Sequence, residues 1–176
     1  AGADATAIDV SANRLARLRE NLGRLRFKAE TICADARKWH ASADGKNRKF
    51  DAVLLDAPCS ATGTLRRHPD VARHRTPADV ERLNQAQREL LRVAVDMAKA
   101  DAVIVYCVCS VLPEEGRLMI DEAVESGLVE RVPLTERDVP VELISSDGDL
   151  RVLPFYYADK GGCDGFFAAR LRKRLK

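Results

Sequence analysis

Two short segments of the chain carry the side chains of covalent chemistry. Asp56-Ala57-Pro58-Cys59-Ser60-Ala61-Thr62-Gly63 holds a carboxylate and a thiol, with Pro58 to stiffen the segment and Gly63 to permit a tight turn. Tyr106-Cys107-Val108-Cys109-Ser110 supplies further thiols. A thiol attacks carbon only as its thiolate, which forms in polar, partly open surroundings. Cys59 and Cys109, each beside a serine in what reads as a loop mouth, meet that description and are the candidate reactive cysteines. Cys33, Cys107 and Cys163 read instead as small buried hydrophobes. Strand alternation puts Cys107 and Cys109 on one face unless the strand has already ended. No metal site is expected: there is no C-x-x-C pair, and His40, His68 and His74 are scattered.

The elements that must position these groups follow from periodicity. A short apolar run over 5–10 holds Asp9 at its end. A helix over 12–25 repeats Leu15, Leu18, Leu22 and Leu25 at helical spacing. Apolar runs over 29–34 and 50–55 are followed by Asp35 and Asp56. The segment 57–77, with Pro58, Gly63, Pro69 and the arginines Arg66, Arg67, Arg73 and Arg75, is long for a plain connection, which favours function. A helix over 78–100 should bury Leu83, Leu90, Leu91, Val95 and Met97. A fully buried strand is expected over 102–108, a helix from Pro113 to about Ser126, and a strand over 165–171. Strands alternating with helices predict an α/β fold with a parallel sheet, which binds ligands at the carboxyl ends of its strands. Asp9, Asp35, Asp56 and Cys109 all fall at such ends. One aspartate after a strand is better explained as a turn former or helix cap, but the whole set on one edge argues for a site.

Composition bounds the partners. With 176 residues, 46% of them hydrophobic, the chain has the length of one domain with a core of its own. Lys and Arg outnumber Asp and Glu by only 29 to 27, so a nucleic-acid contact must be local rather than a matter of overall charge. Five cysteines and no secretory leader fit a reducing cytoplasm, and no apolar run approaches the ~18 residues of a membrane span. The chain reads as a cytoplasmic monomer with a short basic end over 170–176.

Asp56 to Gly63 resembles the D-A-P-C-S-G-T-G motif, and Tyr106 to Ser110 the T-C-S motif, of the Fmu/Sun RNA cytosine-5 methyltransferases. The likeness extends over nearly the whole chain. Arg66 to Pro69 is similar to the family's R-R-x-P, Pro113-Glu114-Glu115 to its P-E-E, and Asp164-Gly165-Phe166-Phe167 to its D-G-F-F. Ala61 stands where the family has glycine and Val108 where it has threonine.

The resemblance implies a Rossmann-like S-adenosylmethionine-dependent methyltransferase fold, a mostly parallel sheet with helices on both faces. It implies methyl transfer to C5 of cytosine in RNA, ribosomal rather than transfer RNA, through a covalent cysteine adduct at C6. Cys109 matches the nucleophile, Asp56 the residue that contacts N3 of the base, and Cys59 the residue linked to release of the product. Asp9 matches the residue on the ribose of S-adenosylmethionine and Asp35 the residue near its adenine, with Asp56 also beside the cofactor. Arg66, Arg67, Arg73 and Arg75 are candidate phosphate contacts, with a solvated loop surface as the equal alternative. The family's glycine-rich loop, D-x-C-A-A-P-G-G-K-T, would fall about 25 residues before Asp9 by the usual strand-loop-helix spacing. The 176 residues therefore read as the C-terminal part of one catalytic domain, without its first, central strand and that loop. A competing expectation is an inactive relative that binds RNA or a protein partner. A DNA cytosine methyltransferase would use the cysteine equivalent to Cys59 and a Glu-Asn-Val motif, which this chain lacks.

Overall fold

The computed structural model describes residues 2–174; Leu175 and Lys176, the tip of the expected basic end, lie outside the described residues. The chain divides into two units, residues 1–48 and 49–176.

The first unit is a β-α-β-α segment. Strands β1 (Thr6–Asp9) and β2 (Glu30–Cys33) pair in parallel, from Thr6 opposite Glu30 to Asp9 opposite Cys33. Helix α1 (Ala12–Leu25) joins them. Ser11 caps its start by accepting from the Arg14 amide, and Arg26 ends it in the left-handed region at φ 57°. Of its leucine stripe only Leu15 is fully buried, and Leu25 at the far end is exposed. Helix α2 (Ala36–Ala41) was not anticipated, because six residues are too few to display a period. Asp35 caps it, and Trp39 is buried with the Arg48 guanidinium 5.5 Å from its ring centre. Cys33, expected inside, is exposed: it ends a strand in a two-stranded sheet.

The second unit is built on a five-stranded sheet. β3 (Phe50–Asp56) and β4 (Ala98–Val108) are parallel, joined by the short α3 (Val71–His74) and the long α4 (Pro77–Met97). Helix α5 (Arg117–Glu125) and β5 (Val129–Arg131) follow, then β6 (Leu150–Val152) and β7 (Phe166–Lys173). β7 runs antiparallel to β4 on one side and to β5 and β6 on the other.

Local chemistry explains the boundaries. Thr76 and Asp79 form a reciprocal capping box at the start of α4, with Pro77 in the first turn, whose missing amide costs nothing there. The helix stops at Met97 rather than about Ala100, because residues from Ala98 already belong to β4. Its buried face is more polar than the leucine spacing suggests. Asn84 and Gln87 lie inside with Leu91, Ala94, Val95 and Met97, whereas Leu83 and Leu90 are only half-buried.

β4 is not buried on both faces: Ile104, Tyr106 and Val108 are fully buried while Val103 is 37% exposed. Those three residues meet Leu91 and Val95 of α4, Met119 and Ile120 of α5, and Phe167, Ala169 and Leu171 of β7 in one core. Each large aliphatic or aromatic side chain so buried contributes about 1.5–3 kcal/mol. Pro113 opens a turn, not a helix. α5 begins only at Arg117, after Gly116, which has non-helical dihedrals and leaves the space where the Phe167 ring sits. Among the described residues no helix is long and apolar enough to cross a membrane.

Candidate active site

The parallel pairing of β3 and β4 brings the ends of the two strands, and the loops beyond them, side by side. It continues past the strands as single bonds: the Ala57 amide donates to the Cys107 carbonyl at 3.0 Å, and the Gly63 amide to the Cys109 carbonyl at 3.0 Å. Cys59 and Cys109 therefore meet, with their sulfur atoms 3.4 Å apart. Both are half-buried.

The two thiols differ in acidity. Either thiol could donate in this contact; with Cys59 as the donor, the bond brings the Cys109 thiol down to about 7 against the opposing effects of burial and of the negative charges of Asp56 and Glu115. The same bond, then burial, pushes Cys59 far above the ordinary thiol range. Near neutral pH Cys109 is thus poised as a thiolate, with Cys59 as its proton-bearing neighbour.

Cys107 is a different case. β4 ends at Val108, so Cys107 and Cys109 do not share a partner; the buried Cys107 thiol lies 3.9 Å from the Asp56 carboxylate. Burial first, and then Asp56, raises it to about 11, which leaves it a protonated thiol. Asp56 itself is exposed at the end of β3. Cys163, expected as a small buried hydrophobe, is instead half-buried, with its thiol in hydrogen-bond reach of the carbonyls of Leu153 and Tyr156. Val108, at the place where the resembled motif has threonine, is fully buried in the core.

Behind the thiols lies a buried polar cluster that the sequence did not reveal. The Glu115 carboxylate, fully buried, accepts from the Ser60 amide at 2.8 Å, the Ser60 hydroxyl at 2.5 Å and the Gln87 amide group at 3.2 Å. Gln87 also donates to the Pro58 carbonyl at 2.8 Å. The Ser60 hydroxyl lies 3.2 Å from that of Ser110, which is 3.0 Å from Thr62 Oγ1. Tyr106 donates to the Glu115 carbonyl at 2.7 Å. Only the P-E-E motif and the serine after each cysteine hinted at these residues, and a helical period cannot tell that Gln87 faces inward.

Backbone approach sets the front of the site. A Cβ on Gly63 would collide with the Gly165 carbonyl and lie 2.9 Å from that of Cys109, so this glycine serves close approach rather than a turn. The turn falls instead at Ala61, which adopts the left-handed conformation at φ 61°, the reason for glycine at the matching place in the resembled motif.

The four candidate arginines are divided. Arg67 and Arg66 pair with Asp164, Arg67 the more closely, and so tie the loop to the segment leading into β7. Arg75 donates to the Ser60 carbonyl at 3.1 Å and braces the cysteine loop. Arg73 is exposed on α3.

In the first unit, Asp9 and Asp35 follow the two parallel strands at the same edge. Asp9 accepts from the Ser11 amide at 2.7 Å and from the Arg14 guanidinium at 2.8–3.1 Å. Burial works against these bonds, and its pKa is lowered on balance. Asp35 caps α2 and binds the Arg37 guanidinium, which holds its carboxyl at about 2. The cap role allowed for any one such aspartate is thus real for Asp35. In this arrangement both carboxylates are engaged by neighbouring amide and guanidinium donors, so a nucleoside bound there would have to share or displace the arginines.

The profile of the 16S rRNA methyltransferase RsmB/F family matches residues 2–172. The chain belongs to this family. Ribosomal RNA small subunit methyltransferase B of Pasteurella multocida is 38% identical over 97% of the chain and 37% of its own length. The protein of the same description from Pseudomonas syringae pv. tomato is 41% identical over 95% of the chain and 36% of its own. The chain thus spans little more than a third of these RsmB/F relatives. Among solved structures, NSun6 from Pyrococcus horikoshii with SFG superposes with a TM-score of 0.80 at 28% identity, over 98% of this chain and 42% of that one. A methyltransferase homologue from the same organism gives 0.71 at 32% identity, over 96% and 52%. The fold is therefore the Rossmann-like methyltransferase fold, with parallel pairs in β1–β4 and antiparallel additions around β7.

Proposed function

We propose that this chain is the C-terminal part of the catalytic domain of a cytosine-5 methyltransferase acting on RNA, ribosomal RNA first, with Cys109 as nucleophile. The observation that carries the reading is the 3.4 Å contact between Cys59 and Cys109, which lowers the Cys109 thiol to about 7. Cytosine C5 is a poor nucleophile until a group adds at C6. The Cys109 thiolate supplies its electron pair to C6, and electron density passes to C5 and N3. Asp56, exposed at the strand end, is the group for N3. Bound S-adenosylmethionine supplies an electrophilic methyl carbon. By the resemblance, Asp9 and Asp35 are the residues that would hold its ribose and adenine.

Once C5 carries the methyl group, its proton passes to solvent as base, the C5–H electron pair restores the C5–C6 double bond, and the C6–S bond breaks to return the thiolate. Cys59 serves that release. With its sulfur 3.4 Å from that of Cys109, its S–H can donate to and stabilise the departing thiolate. The target base must be turned out of its stack at a cost of a few kcal/mol. Phosphate contacts from the arginine loop offset this. Arg73 is the most available of the four, since Arg66 and Arg67 pair with Asp164 and Arg75 with Ser60.

The test is denaturing-gel trapping of the full chain on ribosomal RNA containing 5-fluorocytosine, with S-adenosylmethionine. Fluorine at C5 cannot leave as a cation, so the adduct persists. A covalent band should form with the wild type and with Cys59→Ala and be lost with Cys109→Ala. A band that survives Cys109→Ala and is lost with Cys59→Ala reverses the assignment. No band from folded protein on ribosomal or transfer RNA supports the inactive, RNA- or protein-binding reading.

A further inference from the structure

The residues that follow the two reactive cysteines are tied to a single carboxylate. Ser60 reaches Glu115 through both its amide and its hydroxyl. Ser110 reaches it through the Ser60 hydroxyl at 3.2 Å. On the other side of Cys59, the Pro58 carbonyl is held by Gln87, which donates to Glu115 as well. The anchor is itself fixed, since the Glu115 carbonyl accepts from Tyr106 near the end of β4. Glu115, Gln87, Ser60 and Ser110 are all buried, so water does not compete for these bonds.

We propose that Glu115 is a positioning residue for the transfer reaction: from behind the sheet edge it fixes the segments on which Cys59 and Cys109 ride and so keeps Cys59 within donating distance of the Cys109 sulfur. The inference rests on the methyl-transfer reading for its consequence in catalysis, while its geometric content is independent of RNA and cofactor. What matters is reach and hydrogen-bonding shape. The side chain must span from the turn before α5 to the Ser60 amide with two acceptor positions.

Two substitutions separate shape from charge. Glu115→Gln keeps the length: its carbonyl oxygen accepts from Ser60 and Gln87, and its amide donates to the Ser60 hydroxyl, which turns its own proton toward Ser110. Glu115→Asp keeps the charge but loses one methylene of reach. The direct readout is oxidation of the full chain by diamide, which takes two hydrogen atoms from the paired thiols as the Cys59–Cys109 disulfide forms. Peptide mass spectrometry resolves this disulfide from those of the other cysteines.

Glu115→Gln should cross-link within about threefold of the wild-type rate, whereas Glu115→Asp should be slower by about tenfold or more, since displacements of about 1 Å carry such costs. The rate of adduct formation on 5-fluorocytosine RNA should follow the same order, with the effect on kcat rather than on KM for RNA. A Glu115→Asp protein that cross-links as fast as wild type, or a Glu115→Gln protein as impaired as Glu115→Asp, overturns the proposal. A wild type that cross-links but never forms the RNA adduct sinks the methyl-transfer reading, and the cross-linking order then decides on Glu115 alone.

Discussion

The Gly165 amide donates to the carbonyl of Gly63 across 2.7 Å, and the Gly63 amide donates in turn to the carbonyl of Cys109 at 3.0 Å. Three segments far apart in sequence thus cross where two of the three residues have no side chain. Gly63→Ala should force them apart. We expect a loss of about 2–3 kcal/mol in urea denaturation, the usual cost of overpacking, together with loss of the covalent RNA band. An unchanged urea midpoint would show that the crossing yields without cost.

The acidity of Cys109 depends on the hydrogen bond from Cys59. Its alkylation by iodoacetamide, followed by peptide mass spectrometry, should rise with pH around a midpoint of about 7. In Cys59→Ala the donor is gone while burial and the carboxylates remain, so the midpoint should move to the ordinary thiol value of about 8.5 or higher. At pH 7 the variant should then react several-fold more slowly, by up to about tenfold, because the smaller thiolate fraction is partly offset by greater nucleophilicity. A midpoint that stays near 7 in the variant would assign the low value to another group.

Asp149 provides a test of stability against pH. It is buried and bonded to Arg131, and burial outweighs that ion pair, so its carboxyl rises from 3.8 to about 6. The folded state therefore binds this proton more tightly than the unfolded chain. Its contribution is fully present below about 4 and is lost as pH rises through 6, an effect of roughly 2–3 kcal/mol. Asp149→Asn should match the wild type in urea midpoint near pH 4 and exceed it at pH 7. Carboxyls held low by arginines, such as Asp35, oppose this slope in both proteins and cancel in the difference. A difference that does not change between pH 4 and 7 would refute the assignment.

Much of this site could be read from the order of residues, because its chemistry is carried by short motifs at strand ends. The limits of α1, of β3 and of the long loop after Asp56 came within a residue or two, since each is marked by a periodic run and a clear cap or turn former. What stayed hidden depends on contacts across long separations. Gln87 faces inward because a carboxylate 28 residues later needs a donor, and no period on α4 encodes that. The turn at Pro113 replaces a helical start because Glu115 is drawn into the cluster behind the thiols. Short β5 and β6 exist only because β7 offers them an edge. The four arginines of the loop read alike, as candidate phosphate contacts or a solvated surface, whereas Asp164, almost a hundred residues downstream, claims Arg67.

β7 comes after every strand it pairs with: β4, β5 and β6 are all made before it. On a growing chain the sheet of the second unit stays open along β4 until Phe166–Lys173 arrives, and the Gly63–Gly165 crossing cannot form any earlier. The order of synthesis therefore works as a lock. A nascent or interrupted chain lacks the clasp across the cysteine loops until β7 has been made.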